Sequence, residues 1–80
     1  MPRYFLHLKD GVDVILDEEG VELSRAAVAG AAVMAARDCM AADVKQGRLD
    51  LNHRIDVYDE SGEIAQSLLF ADALEITAPR

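Results

Sequence analysis

The side chains best suited to bind a ligand are Arg3, Phe5 and His7 near the amino terminus, and Arg54 and Tyr58 in a later segment. Alternate spacing places each group on one face of a β-strand. If the two strands are neighbours, the five side chains form a cationic and aromatic patch that could stack bases or bind a peptide. The alternative is a solvated face with cross-strand ion pairs. We take these five residues as the predicted binding site.

Side chains that could ligate a metal or act as a nucleophile are sparse. Cys39 is the only cysteine, and His7 and His53 lie on different segments, so no paired-ligand spacing is present. A dense acidic stretch lacks the Asp-x-Asp-x-Asp-Gly spacing of a calcium loop. We therefore expect no metal, no cofactor and no enzymatic activity. The acidic stretch contains Asp10, Asp13, Asp17, Glu18 and Glu19.

The charge balance indicates the class of partner. Eight basic and fifteen acidic residues give a net charge of −7 at neutral pH. Proteins that hold nucleic acid by its phosphates are basic, so the charge disfavours nucleic-acid binding. An acidic surface favours encounters with basic partners. We expect the partner to be a protein.

Length and composition predict one small domain, residues 1–80. Thirteen alanines contribute to the hydrophobic 51% of the chain, and alanine buries little surface, so the core is small and a homodimer is expected. The single cysteine and the lack of a signal-peptide pattern predict a cytoplasmic protein. The longest apolar run, residues 26–36, is too short to span a bilayer.

Two segments on either side of a central helix have the pattern of β-hairpins. Residues 3–9 alternate, with Tyr4, Leu6 and Leu8 expected to face the helix, and Asp10-Gly11 is a favoured hairpin turn before a second strand at 12–16. The later pair is residues 54–59 and 64–70. The sequence therefore predicts an α+β fold, a four-stranded antiparallel sheet (ββαββ) with one long helix packed on one face.

The helix is predicted between Ser24, a favoured N-cap, and Gly47, a favoured residue after a helix end. Residues at 100° intervals predict one stripe that faces the sheet. A second, uncharged surface beside the stripe could pack against another helix, or could be exposed alanine that serves helix propensity. The predicted stripe is Ala26, Ala29, Val33, Ala36, Met40 and Val44.

Several strings along the chain resemble a family of short bacterial proteins catalogued only as a domain of unknown function. The resemblance implies a fold and a bacterial cytoplasmic setting, and no catalytic residue. The alanine run around Gly30 departs from the family pattern, which concerns partner surfaces more than the fold. The strings are Pro2-Arg3-Tyr4-Phe5-Leu6-His7-Leu8, Asp10-Gly11, Asp17-Glu18-Glu19-Gly20, Arg48-Leu49-Asp50-Leu51, Ile55-Asp56-Val57, Asp59, Gly62 and Phe70.

Three functional hypotheses follow. The first is a non-enzymatic protein-interaction module that self-associates through the helix or a sheet edge. The second is a nucleic-acid-associated or antitoxin-like regulator that uses the face carrying Arg3, His7 and Arg54, and it requires these side chains to converge. The third is an enzyme with His7 as acid or base, which requires a pocket beside His7 with a second titratable group.

Overall fold

The computed structural model describes residues 1–11 and 14–79, with residues 14 and 15 described by their backbone alone. Gly11 has a φ of 90°, as a tight turn after β1 requires. Val12 and Asp13, which we expected to open the second strand and to extend the acidic stretch, lie outside the described residues.

The strands form one antiparallel sheet. It contains β1 (Arg3–Lys9), β2 (Val14–Ile15), β3 (Val21–Glu22), β4 (Arg54–Tyr58) and β5 (Ile64–Leu69). The order across the sheet is β2-β1-β4-β5, and β3 also pairs with β1. The predicted α+β fold, an antiparallel sheet with one long helix, is confirmed. The sheet has one further strand that the sequence did not predict, β3, because the chain pairs with β1 again at Val21–Glu22 before the helix.

The two short strands share one edge of β1. β2 pairs with Leu8 and Lys9, whereas β3 pairs with Arg3 and Tyr4 at the other end. The opposite edge of β1 pairs with β4 over residues 5–9. The sheet therefore ends on one side in two short strands and on the other side in the six-residue strand β5.

The helix α1 (Val28–Lys45) follows a single 3-10 turn at Arg25–Ala27, and both lie within the predicted range. A second 3-10 turn, Phe70–Ala73, follows β5 and is joined to the helix by Arg37, whose Nε donates to the carbonyl of Ala73 at 2.9 Å. No helix in the described part of the chain is both long and apolar enough to cross a membrane.

The core lies between α1 and one face of the sheet. Small side chains at Ala32 and Ala36, both fully buried, let the helix approach the strands closely. Leu6 and Leu8 pack against this core as the alternation predicts. The buried apolar residues are Tyr4, Val28, Ala32, Ala36, Met40, Ile55, Val57, Phe70 and Ala73.

The helix stripe predicted by the wheel is wrong at both of its ends. The buried positions on α1 are Val28, Ala32, Ala36 and Met40, and Val44 is 57% exposed. Ala26 lies in the 3-10 turn, where the 100° spacing does not hold, and within α1 the many alanines make neighbouring stripes almost equally apolar. An 18-residue helix is about 27 Å long, whereas a six-residue strand is about 20 Å, so one helix end extends past the sheet.

Candidate functional site

The sheet face opposite α1 carries side chains in three rows that cross β1, β4 and β5. The register aligns Phe5 with Tyr58, His7 with Asp56 and Lys9 with Arg54. It continues onto β5, where these three rows end in Ile64, Ser67 and Leu69. We call these nine residues the outer face. One row is aromatic and apolar, the middle row is polar, and the third is basic with a leucine at its end.

The centre of the outer face is a buried charge. Asp56 is only 1% exposed. Its Oδ2 accepts hydrogen bonds from Lys9 Nζ at 2.7 Å and Arg54 Nε at 3.2 Å, and its Oδ1 accepts one from Ser67 Oγ at 2.6 Å. Three donors on three strands therefore satisfy a carboxylate that would be costly to bury alone.

These contacts shift two pKa values. Burial favours the protonated form of Asp56, but the hydrogen bonds from Lys9, Ser67 and Arg54 outweigh it and hold the pKa of that carboxyl below its ordinary value. Hydrogen bonds to Asp56 and Tyr58 raise the pKa of Lys9 above its ordinary value. Asp56 is thus an ionised structural group whose acceptor atoms are already occupied by the protein.

The aromatic ring of Tyr58 is fixed from two sides. The imidazole of His7 lies beside it, with ring centroids 4.8 Å apart at an interplanar angle of 33°. Lys9 Nζ is 2.7 Å from the Tyr58 hydroxyl oxygen and 5.1 Å from the ring centroid. Because the ammonium is much closer to the hydroxyl than to the ring centre, it contacts the hydroxyl end of the ring and leaves most of the ring face free.

The structure brings together three of the five predicted site residues. Phe5, His7 and Tyr58 lie side by side because β1 and β4 are neighbours. Arg54 is opposite Lys9, and Arg3 lies six residues further along β1, about 20 Å away at the usual strand rise. The predicted patch is therefore divided into an aromatic group with two arginines at opposite ends.

Each of these arginines already has acidic or carbonyl partners. Arg3 bonds the carboxylate of Glu22 at 3.3 Å and the carbonyl of Glu19 at 2.8 Å. Arg54 bonds Asp56 at 3.2 Å. The convergence of Arg3, His7 and Arg54 that a phosphate-binding face requires is absent from the described residues.

An open cleft of about 450 Å³ lies at the aromatic end of the outer face. Its floor combines the rings of Phe5 and Tyr58, and its rim combines the loop between β2 and β3 with the turn between β4 and β5. We call it the acidic cleft, because its rim carries four acidic side chains and none of its described lining residues is lysine or arginine. The lining residues are Phe5, His7, Leu16, Asp17, Glu18, Tyr58, Asp59, Glu60 and Gly62.

Structural hydrogen bonds hold most of this rim in place. Asp17 accepts from the backbone N–H groups of Leu6 at 3.2 Å and Gly20 at 3.0 Å. Asp59 Oδ1 accepts from the hydroxyl and N–H of Ser61 and the N–H of Glu63, and these bonds lower the pKa of its carboxyl. The carboxylates are thus positioned by the backbone before any ligand arrives, which reduces the entropy lost on binding.

A second cleft of about 480 Å³ lies on the other side of the sheet, between the start of the helix and the β4–β5 turn. Arg25 and the carboxylates of Asp59 and Glu60 line it together with Tyr4 and Val28. Its mixed charge does not select a ligand of either sign.

The edge strand β5 has an unusual composition for the edge of a sheet. Its residues 64–69 include no charged side chain and no proline, and Ile64 and Leu69 are 55% and 43% exposed. Edge strands of soluble proteins are normally short or protected by charge, proline or a covering segment. Within residues 1–11 and 14–79, β5 pairs only with β4, so its outer edge presents backbone groups without a strand partner next to exposed apolar side chains.

Two features of the outer face were missed by sequence reasoning. The alternation placed Asp56 on the outward side of β4 but did not mark it as buried, and it gave no role to Lys9. A signal was present, since aspartate is depleted in strands and Asp56 lies between Ile55 and Val57 in a central strand. The acidic cleft joins two loops distant in sequence, which periodicity does not detect.

Cys39 and His7 are two further side chains with reactive groups. Burial raises the pKa of the half-buried Cys39 thiol, and the charges of Asp43 and Asp38 raise it further. His7 contacts the ring of Tyr58 and also lines the acidic cleft beside four carboxylates, so the pocket with a second titratable group that the enzyme hypothesis requires is present. Within residues 1–11 and 14–79, no group of three or more histidine, cysteine, aspartate or glutamate side chains is placed to hold a metal ion.

Comparison with known proteins identifies a family. Residues 3–71 match the model of a family described as Domain of unknown function (DUF6894). No curated protein and no solved structure matches the chain. The match covers most of the chain, from the start of β1 to the 3-10 turn after β5.

Proposed function

This chain belongs to the family described as Domain of unknown function (DUF6894), whose description names no activity, and we propose that it is a small non-enzymatic protein-interaction module that self-associates along β5. The observation that carries the proposal is the uncharged six-residue edge strand with exposed Ile64 and Leu69. Strand addition at such an edge is a common mode of protein recognition, because backbone hydrogen bonds supply affinity without a specific side-chain code.

A second copy of the chain suits this edge. A two-fold interface uses the same patch on both subunits, so β5 can pair with the β5 of another copy and extend the antiparallel sheet across both. Pairing would also cover Ile64 and Leu69, which are exposed to solvent because the core is small. The helix offers a competing surface, since Met34 and Val44 are 56% and 57% exposed.

The test is the mass in solution, measured by light scattering after size-exclusion chromatography. We expect twice the 8.7 kDa chain mass for the native protein, with or without reductant. Ile64→Lys and Leu69→Lys place charge on the edge and should give monomers. Met34→Lys and Val44→Lys change equally exposed apolar residues on α1 and should leave the dimer intact.

Either of two results would contradict the proposal. A native protein that runs as a monomer across the accessible concentration range excludes self-association. A dimer broken by the helix variants, and kept by the β5 variants, assigns the interface to α1. Circular dichroism of each variant distinguishes lost association from lost folding.

The nucleic-acid-associated hypothesis is less well supported. It needs free cations on the outer face, whereas Arg3 and Arg54 are ion-paired at opposite ends of β1 and β4. The net charge of −7 opposes it as well. An antitoxin-like role that neutralises a basic protein needs no such cations and is compatible with an interaction module.

A further inference from the structure

We infer that the acidic cleft is a docking site for an arginine side chain on a basic segment of a partner protein. The inference rests on the proposed function, because it assumes an interaction module, but it concerns a surface other than the β5 edge. The occupant follows from the shape, lining and charge of the cleft.

The floor of the cleft suits a planar cation. Phe5 and Tyr58 are paired across β1 and β4, and contacts from His7 and Lys9 fix the Tyr58 ring. Ring faces attract cations through their negative quadrupole, and a guanidinium also stacks on them because it is flat. Leu16, which is 58% exposed, adds an apolar wall against which the stem of a long side chain can lie.

The rim supplies charge of one sign. Asp17 and Glu18 come from the loop after β2, and Asp59 and Glu60 come from the β4–β5 turn on the facing side. The cations on β1 are committed elsewhere, since Lys9 bonds Asp56 and Arg3 bonds Glu22, and Arg25 lies in the second cleft on the other side of the sheet. A guanidinium fits this arrangement because its donors can form paired hydrogen bonds with carboxylates.

The cleft is large enough for this occupant. A volume of about 450 Å³ lies within the range of small-ligand sites, roughly 300 to 1,000 Å³. The cleft is open on the solvent side, so a side chain can enter while the rest of its segment crosses the outer face. The net charge of −7 attracts a basic segment over longer distances.

The test uses the full-length chain labelled with ¹⁵N and a blocked five-residue peptide with one central arginine between alanine and glycine. The matched probe replaces arginine with citrulline, which has almost the same shape without the charge. We expect the arginine peptide to shift the amide signals of the cleft, and the citrulline peptide to bind about tenfold more weakly, as loss of a charge-assisted pair implies.

Matched protein variants separate the cleft from general charge attraction. Glu18→Gln combined with Glu60→Gln removes two rim charges, and the amide oxygen that the second change introduces can still accept the hydrogen bond from the Arg3 N–H. Asp38→Asn combined with Glu75→Gln removes two exposed charges away from the cleft. We expect the first pair to weaken the arginine peptide severalfold and the second pair to leave its affinity nearly unchanged.

Four results would overturn the inference: no binding of the arginine peptide, equal binding of the citrulline peptide, equal weakening by both pairs of variants, or signal shifts that map to β5 or α1. None of these results affects the mass measurements on the β5 variants. Failure of the cleft is therefore distinguishable from failure of self-association.

Discussion

The two edges of the sheet are built in opposite ways. The edge at β1 is covered by two strands of two residues each, and Asp17 fills the gap between them by accepting the N–H of Leu6. Arg3 fixes the end of this edge through Glu22 and the carbonyl of Glu19. The edge at β5 is one continuous strand without a charged residue. We call the first the closed edge and the second the open edge.

This difference shows how a small protein can restrict association to one place. Short strands and charged side chains prevent further strand pairing, and the closed edge has both. The open edge lacks these protections, so it is the edge to which we assign the proposed strand addition. The acidic residues of the closed edge also form half of the rim of the acidic cleft, so one loop serves both protection and the proposed recognition.

The largest effect that we expect follows Gly20→Ala on the closed edge. Gly20 has a φ of 73°, and a Cβ there would lie 2.8 Å from the Tyr4 carbonyl oxygen and 2.8 Å from Phe5 Cε1. Left-handed strain plus this clash should cost about 3 kcal/mol of unfolding free energy. The measurement is urea unfolding followed by circular dichroism.

Gly62→Ala is the matched control for that experiment. Gly62 has a φ of 86°, but nothing lies within 4 Å of its added Cβ. Gly62→Ala should therefore suffer only the left-handed backbone strain, which costs about 1 to 2 kcal/mol of unfolding free energy. Equal losses at both glycines would mean that the close approach to β1 contributes nothing to the closed edge.

A smaller loss is expected for Asp17→Ala. The change leaves the N–H groups of Leu6 and Gly20 without their acceptor and should cost about 2 kcal/mol. Asp17→Asn keeps one acceptor oxygen and should lose about half as much. Amide hydrogen exchange should accelerate at Leu6 while β5 is unaffected, and acceleration along β5 instead would contradict the separation of the two edges.

Ser67→Ala tests the open edge and should have a smaller effect again. It removes the 2.6 Å hydrogen bond that joins β5 to the Asp56 carboxylate, while Lys9 and Arg54 still satisfy the other oxygen. We expect a loss of about 1 kcal/mol of unfolding free energy and faster amide exchange in β5. Faster exchange at β3 would show that the two edges are coupled through the centre of the outer face.

The last expected change is confined to acid pH. The pKa of Asp56 in the folded protein lies below its ordinary value of 3.8. The ionised carboxylate therefore stabilises the protein fully above pH 3.8. This stabilisation is lost as the pH falls through the folded-state pKa. The difference in Tm between the native protein and Asp56→Asn should therefore shrink below pH 3.8. A constant difference would show that Asp56 acts through shape alone.

Most of the fold could be predicted from the sequence because it depends on local patterns. Alternation over residues 3–9 and 54–58 and the glycines of the turns specify strands, and the alanine-rich segment specifies a helix. The helix stripe was wrong at its ends because the alanine-rich helix has several almost equally apolar stripes, and packing against the sheet selects one of them. In the candidate site, the sequence showed which side chains share a face of each strand, whereas the antiparallel register of β1 and β4 decided that Phe5 meets Tyr58 and that Arg3 and Arg54 lie far apart.

The sequence by itself determined the two predicted strand pairs, the long helix, their order and the acidic charge, since each follows from the type and spacing of nearby residues. Tertiary structure alone decided that β3 returns to β1, that Asp56 is buried among Lys9, Arg54 and Ser67, and that two distant acidic loops face each other across aromatic rings. The physical reason is that strand register and edge coverage result from long-range pairing. The free energy of that pairing is shared by segments far apart in the chain.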